Sequence, residues 1–105
     1  MAPRRRVVWS QRSLSALDEI LTWIAQESPQ GAASVARAAL ASAGSLTSLA
    51  ERGRVVPELD RESVREIFVF RYRLIYEVGP DQVTILAFVH GAPDFEHWRR
   101  QSGFE

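Results

Sequence analysis

A two-layer α+β domain, with a helical hairpin packed on one face of a small, mainly antiparallel sheet, is the fold that this 105-residue chain predicts. Two apolar stripes of helical period follow one another across Ser28-Pro29 in the first half. Three β-prone runs, parted by short turn signals, fill most of the second half. A further β-prone run precedes the first helix, so the order reads β-α-α-β-β-β, with a short closing helix. The length suits one domain spanning residues 1–105.

Taken in order, "RRVVWS" (Arg5 to Ser10) is a short strand, and Ser10 can cap the helix that follows. Leu14, Leu17, Ile20, Leu21 and Ile24 then recur at helical spacing. That helix stops near Ser28, because the residue before Pro29 is pushed out of the α region. Ser28-Pro29 also opens the next helix, whose stripe is Val35, Ala36, Ala39, Leu40, Ala43 and Leu46. Its alanines let the two helices approach closely, as an antiparallel hairpin.

"ERGRVVPELD" (Glu51 to Asp60) breaks the period and reads as a loop, with Gly53 as a helix C-terminal cap and Pro57 barring further helix. Val64 to Phe70, Tyr72 to Val78 and Gln82 to Val89 are strands. A tight turn near Arg71 separates the first two, and "GPDQ" (Gly79 to Gln82) separates the last two. The last run is apolar on both faces, which marks a central strand with the N-terminal strand on its free side. Strict alternation puts Val83, Ile85, Ala87 and Val89 on one of its faces and Leu86 and Phe88 on the other. "PDFEHWRR" (Pro93 to Arg100) is the closing helix.

Composition narrows the function classes. Charged residues are 25% and hydrophobic residues 46%, an ordinary soluble profile, and the formal net charge is zero. A neutral molecule is not drawn to nucleic acid by its bulk field, and no direct sequence-specific nucleic-acid binding is expected. All 13 basic side chains are Arg, and Arg4-Arg5-Arg6 reads as a solvated terminus. Without Cys there is no disulfide, thiol nucleophile or Cys-ligated zinc. No His, Asp and Glu spacing resembles a metal site and no Gly-rich phosphate loop is present, so no metal or cofactor is expected. The basic start is followed by no long apolar run, hence neither a signal peptide nor a membrane span is expected, and a cytoplasmic protein is.

"FRYRLIYEVG" carries the most distinctive pattern. In a strand, Tyr72, Leu74, Tyr76 and Val78 share one face, which suits the helices. Arg71, Arg73, Ile75 and Glu77 share the other, a doubly cationic face left less covered. Leu86 and Phe88 join Ile75 there as an exposed apolar patch, which a partner protein would cover. The alternative cover is the closing helix itself, through Phe95 and Trp98. On this reading Arg73 is a recognition residue, and Arg73→Ala leaves the melting temperature nearly unchanged.

The order of elements, with "GRVVPEL", "VREIFVFRYRLIYEV" and "VTILAFVHGAPD", resembles the RelE/ParE superfamily of bacterial toxin–antitoxin toxins from Val7 to about Trp98. The resemblance implies a first strand beside the last and a cognate antitoxin as partner. One branch, RelE-like, cleaves mRNA on the ribosome. The ParE-like branch is described as poisoning DNA gyrase without covalent chemistry of its own. RNA cleavage needs a base, an acid and cations around the phosphate. Under that reading the candidates are Arg65, Arg73 and His90, with Glu58 and Glu66 as possible bases. The set is incomplete: Val64 and Glu66 flank Arg65, Pro93 stands where a later Arg is expected, and Trp98 offers no titratable hydroxyl in place of a Tyr.

The sequence therefore favours a ParE-like inhibitor of DNA gyrase, of plasmid-stabilisation type, neutralised by an antitoxin. The endonuclease and a non-toxic antitoxin binder are the alternatives. Candidate residues for target or antitoxin binding are Arg54, Arg71, Arg73, Ile75, Leu86, Phe88, His90 and Trp98. Arg54 has a second reading, a salt bridge to Glu58 or a helix C-terminus. His90 has one too, as a hydrogen-bonding strand-end residue.

Overall fold

The computed structural model describes residues 4–104. Along the chain it forms β1 (Arg6–Trp9), α1 (Gln11–Ala25), α2 (Pro29–Ser45), β2 (Arg54–Val55), β3 (Val64–Val69), β4 (Tyr72–Val78), β5 (Gln82–His90) and α3 (Gly91–Ser102). The sheet order is β1-β5-β4-β3-β2, with β1 parallel to β5 and the other neighbours antiparallel. This is the α+β fold expected, with β5 paired on both sides, between β1 and β4. No helix among the described residues is long and apolar enough to cross a membrane.

Both hairpin helices start on the serines the sequence marks. Ser10 accepts a hydrogen bond from the Ser13 amide, and Ser28 accepts one from the Gly31 amide with Pro29 in the first turn. The hairpin packs on the sheet face formed by Tyr72, Leu74, Tyr76, Val83, Ile85 and Phe88, with Leu17, Val35, Ala39, Ala43 and Leu46 opposite. Leu40 is half exposed, so the α2 stripe is narrower than its period suggests. Ser13 is fully buried where α1 meets β5, and its hydroxyl donates to the carbonyls of Ser10 and Ile85. A short polar side chain there lets the helix approach the strand with its hydroxyl satisfied.

Four expectations are corrected. The Glu51 to Asp60 loop contains β2, which pairs with β3 through Arg54↔Glu66 and Val55↔Arg65. Gly53 is not a helix cap: a Cβ on it would lie 2.6 Å from both the Glu66 carbonyl oxygen and the Tyr76 hydroxyl. The glycine permits close approach, and its amide donates to the Tyr76 hydroxyl at 3.0 Å. Arg71 lies in the two-residue turn between β3 and β4, beside Phe70 at φ +55. It therefore does not share a strand face with Arg73.

The fourth correction concerns β5. Ile75 pairs with Ala87 and Tyr76 with Ile85, so Leu86 is an extra residue in the ladder, a β-bulge. One inserted residue resets the alternation. Val83 and Ile85 face the helical hairpin, Ala87 and Val89 face the other side, and Phe88 returns to the hairpin core. The exposed patch of Ile75, Leu86 and Phe88 is therefore not formed. Helix α3 folds over the outer face instead, and Phe95 and Trp98 bury Val64, Ile75, Ala87 and Val89, with Leu86 partly covered. Gly91 at φ +83 makes the sharp entry into α3 directly after β5.

Candidate functional site

The outer face holds an ionic network beside the α3 core. Arg73 is 9% exposed. Its Nε donates to Glu66 Oε1 at 2.6 Å, and its Nη1 and Nη2 donate to the two oxygens of Glu58 at 3.1 and 2.9 Å. Its guanidinium carbon stands 4.4 Å from the centroid of the Phe95 ring. Arg54 Nε donates to the second Glu66 oxygen at 2.6 Å, and its guanidinium lies over Phe68. Glu66 is the hub: its side chain is fully buried and each oxygen receives one arginine.

The arrangement follows from register. Glu66 lies opposite Arg54 across the β2–β3 pair and beside the Phe68↔Arg73 pair, so both cations reach it from adjacent strands. Pro57 and the turn after it bring Glu58 over the remaining side of the Arg73 fork. The two arginines meet two carboxylates, so the cluster is formally neutral. The hydrogen bond from Arg73 holds the Glu58 carboxyl below its ordinary range, against the opposing effect of burial. Burial by itself lowers Arg73, yet its bonds to Glu58 and Glu66 outweigh that and raise it. Sequence reasoning missed Glu66 as the organiser. The signal was a carboxylate in the middle of "VREIFV", where a buried charge requires a cation.

The doubly cationic face is thus one buried, fully compensated arginine. The expectation that Arg73→Ala leaves stability unchanged is also corrected, since truncation would leave Glu66 buried with only the exposed Arg54 beside it.

The three ribonuclease candidates do not meet. Arg73 points to the α3 side. Arg65 lies opposite Tyr76 and His90 opposite Tyr72, both on the hairpin side and at the two ends of β4. Four residues of strand separate those partners, about 13 Å at strand rise. Arg65 is held by the carbonyls of Glu51 and Gly53, next to the Tyr76 hydroxyl, which burial pushes above its ordinary pKa. His90 is exposed, with its ring 5.1 Å from that of Tyr72 and no side-chain bond to the start of α3. Among the described residues no cluster of three or more His, Cys, Asp or Glu could hold a metal.

Of the remaining candidates, Ile75 and Phe88 are core residues and Trp98 is buried against Phe95 and Phe104. Arg71 is exposed and makes no ion pair among the described residues. It lines a groove of ≈ 410 Å³ between the α1–α2 hairpin and the β3–β4 turn, with Trp23, Ile24, Val35, Phe70, Tyr72 and His90. Of the groove's residues only Arg71 and His90 were site candidates in the sequence, because the groove is assembled from segments distant in the chain.

A solved structure described as the chromosomal ParDE TA system from P. aeruginosa is similar in fold. Its TM-score is 0.68 at 16% identity, covering 85% of this chain and 98% of that one. Comparison with curated protein sequences returned no match. The family model for the ParE toxin of the type II toxin–antitoxin system, parDE, matches residues 7–95, which include the hairpin, the ionic network and β5. By that match this protein belongs to the ParE toxin family of type II toxin–antitoxin systems.

Proposed function

We propose that this protein is a toxin that inhibits DNA gyrase by binding it in the cytoplasm, and that a cognate antitoxin neutralises it. The observation that carries the proposal is the separation of Arg65, Arg73 and His90 on two faces of the sheet. A ribonuclease must gather a base, an acid and free cations around one phosphate. Here Arg73, one of the three ribonuclease candidates, is taken up by Glu58 and Glu66. That supports inhibition by contact over RNA cleavage, in line with the ParE-like branch that the sequence resembles.

Two assays test this, one on the purified toxin and one in cells. Added to gyrase and relaxed plasmid, it should block supercoiling, and premixed antitoxin should restore it. Expressed alone, it should cause DNA damage and filamentation before protein synthesis falls. Cut mRNA with a rapid stop in translation, and intact supercoiling in vitro, would overturn the gyrase reading.

A further inference from the structure

We infer that the fork of Arg73 is a carboxylate-recognition site which the free toxin plugs with its own Glu58, and that an acidic side chain of the gyrase target displaces the plug. The inference rests on the inhibition by contact proposed above and adds which surface makes the contact and what chemistry it reads. Arg73 is held in place without Glu58. Its Nε is bonded to buried Glu66 at 2.6 Å, and its guanidinium carbon stands 4.4 Å from the centroid of the Phe95 ring. These two contacts fix the guanidinium and leave Nη1 and Nη2 for a single acceptor. That acceptor is Glu58, which takes one bond on each oxygen, at 3.1 and 2.9 Å. Two parallel bonds of this kind select a planar carboxylate.

The two carboxylates on Arg73 are not equivalent. The side chain of Glu66 is fully buried, whereas that of Glu58 is 42% exposed. A partly exposed ion pair contributes little to stability, so another carboxylate can replace Glu58 at small cost. Val56 and Leu59 are buried on either side of Glu58, and the Leu59 amide donates to the Val56 carbonyl, which pins the turn. Glu58 can therefore withdraw by rotating its own side chain, with the backbone in place. Arg54 and Arg73 then face one carboxylate, Glu66, and the site has one positive charge to offer an acid. Its surroundings fit a protein. Phe68 lies opposite Arg73 across β3 and β4, is 54% exposed, and has the Arg54 guanidinium 5.2 Å from its ring centroid. Among the described residues the Nη nitrogens of Arg54 make no hydrogen bond, since Glu66 takes only its Nε. An exposed aromatic beside two arginines has the composition of an interface anchor. It suits an Asp or Glu flanked by an apolar side chain. A chain of zero net charge has no bulk field to hold a nucleic-acid phosphate there.

The test measures half-inhibition of gyrase supercoiling by the full-length toxin and by Glu58→Gln, Glu58→Ala, Arg54→Ala and Phe68→Ala, each shown to be folded by its thermal melt. Removing the plug should strengthen inhibition, by about two- to fivefold for Glu58→Ala and by less for Glu58→Gln, since a partly exposed ion pair no longer has to be broken. Arg54→Ala and Phe68→Ala should weaken it about tenfold, the loss expected of an interface anchor. A variant that only loses stability does not inhibit better, so the gain at Glu58 separates recognition from a structural role. Folded variants that all match wild type, or that all weaken, would overturn the plugged site while leaving inhibition intact. Tighter binding of the antitoxin by Glu58→Ala, with its gyrase inhibition unchanged, would overturn the occupant named here. A wild type that leaves supercoiling intact would overturn the proposed function and this inference together.

Discussion

The two faces of the sheet are built from alternate residues of the same strands, yet they are closed by different means. On the hairpin side, Leu74, Tyr76, Val83 and Ile85 are fully buried under two long helices, and the interior is almost wholly apolar. On the α3 side a single shorter helix covers only part of the face, through Phe95 and Trp98. The remainder is closed by Arg54, Glu58, Glu66 and Arg73. An apolar face tolerates small errors of packing because its attractions are non-directional. A buried ionic face holds only while every charge keeps its partner. The comparison locates where this fold is vulnerable: at Glu66, more than at any one core methyl group.

Substitutions can break that comparison or sharpen it. The largest effect is expected at the hub. Glu66→Ala should cost about 3–5 kcal/mol, because it removes the buried carboxylate and leaves Arg73 Nε unpaired in a buried site, with only the partly exposed Glu58 still bound to the rest of the guanidinium. Leu74→Ala on the other face should cost about 3 kcal/mol, a cavity without stranded charge. The sharper contrast is the double variant Glu66→Met with Arg73→Met. It should recover most of the single-variant loss, since an apolar pair of similar size has no charge to desolvate. Urea denaturation of the four proteins measures all of this, and a double variant as unstable as Glu66→Ala would mean that the hub supplies net stability.

A smaller effect is expected at Gly53, where hairpin-side Tyr76 meets the β2–β3 backbone. Gly53→Ala should lower stability by about 1–3 kcal/mol, because one of the atoms the new Cβ meets is a backbone oxygen. Tyr76→Phe removes the other obstacle and the hydrogen bond together. The double variant should therefore lose less than the two singles added, as a thermal-melt cycle would show.

Arg54→Ala should cost about 1 kcal/mol or less, since Arg54 is largely exposed and Glu66 keeps its bond to Arg73. A loss as large as that of Glu66→Ala would show that the network needs both cations.

The smallest effect is the contribution of Glu58, read through pH. Its carboxyl titrates below its ordinary value near 4.5 in the folded protein, so the folded state binds fewer protons than the unfolded state as pH falls past that value. The stabilisation is complete above the ordinary value and disappears as pH drops through the lowered one. The melting-temperature gap between wild type and Glu58→Gln should therefore be present at neutral pH and close on acidification below about 4.5. A gap independent of pH would detach Glu58 from the charge of Arg73.

All the elements of this protein except the two-residue β2 were legible in its sequence because local rules dictate them. Ser10 and Ser28-Pro29 begin helices whatever lies nearby, and Tyr72-Leu74-Tyr76-Val78 faces an apolar layer because strand alternation requires it. The motifs were enough to place the chain in its family. What the sequence left open depended on register. A bulge at Leu86 reverses the faces of the residues after it, and nothing in "QVTILAFVHG" marks which residue is extra. The partnership of Glu66 with Arg54 and Arg73 needs strands β2, β3 and β4 aligned to the residue. The groove joins a helix end, a turn and a strand end that are far apart in the chain. Local propensities act over a few residues and set each element by itself. Which side chains meet is decided by long-range pairing, where a slip of one residue exchanges the faces of a strand.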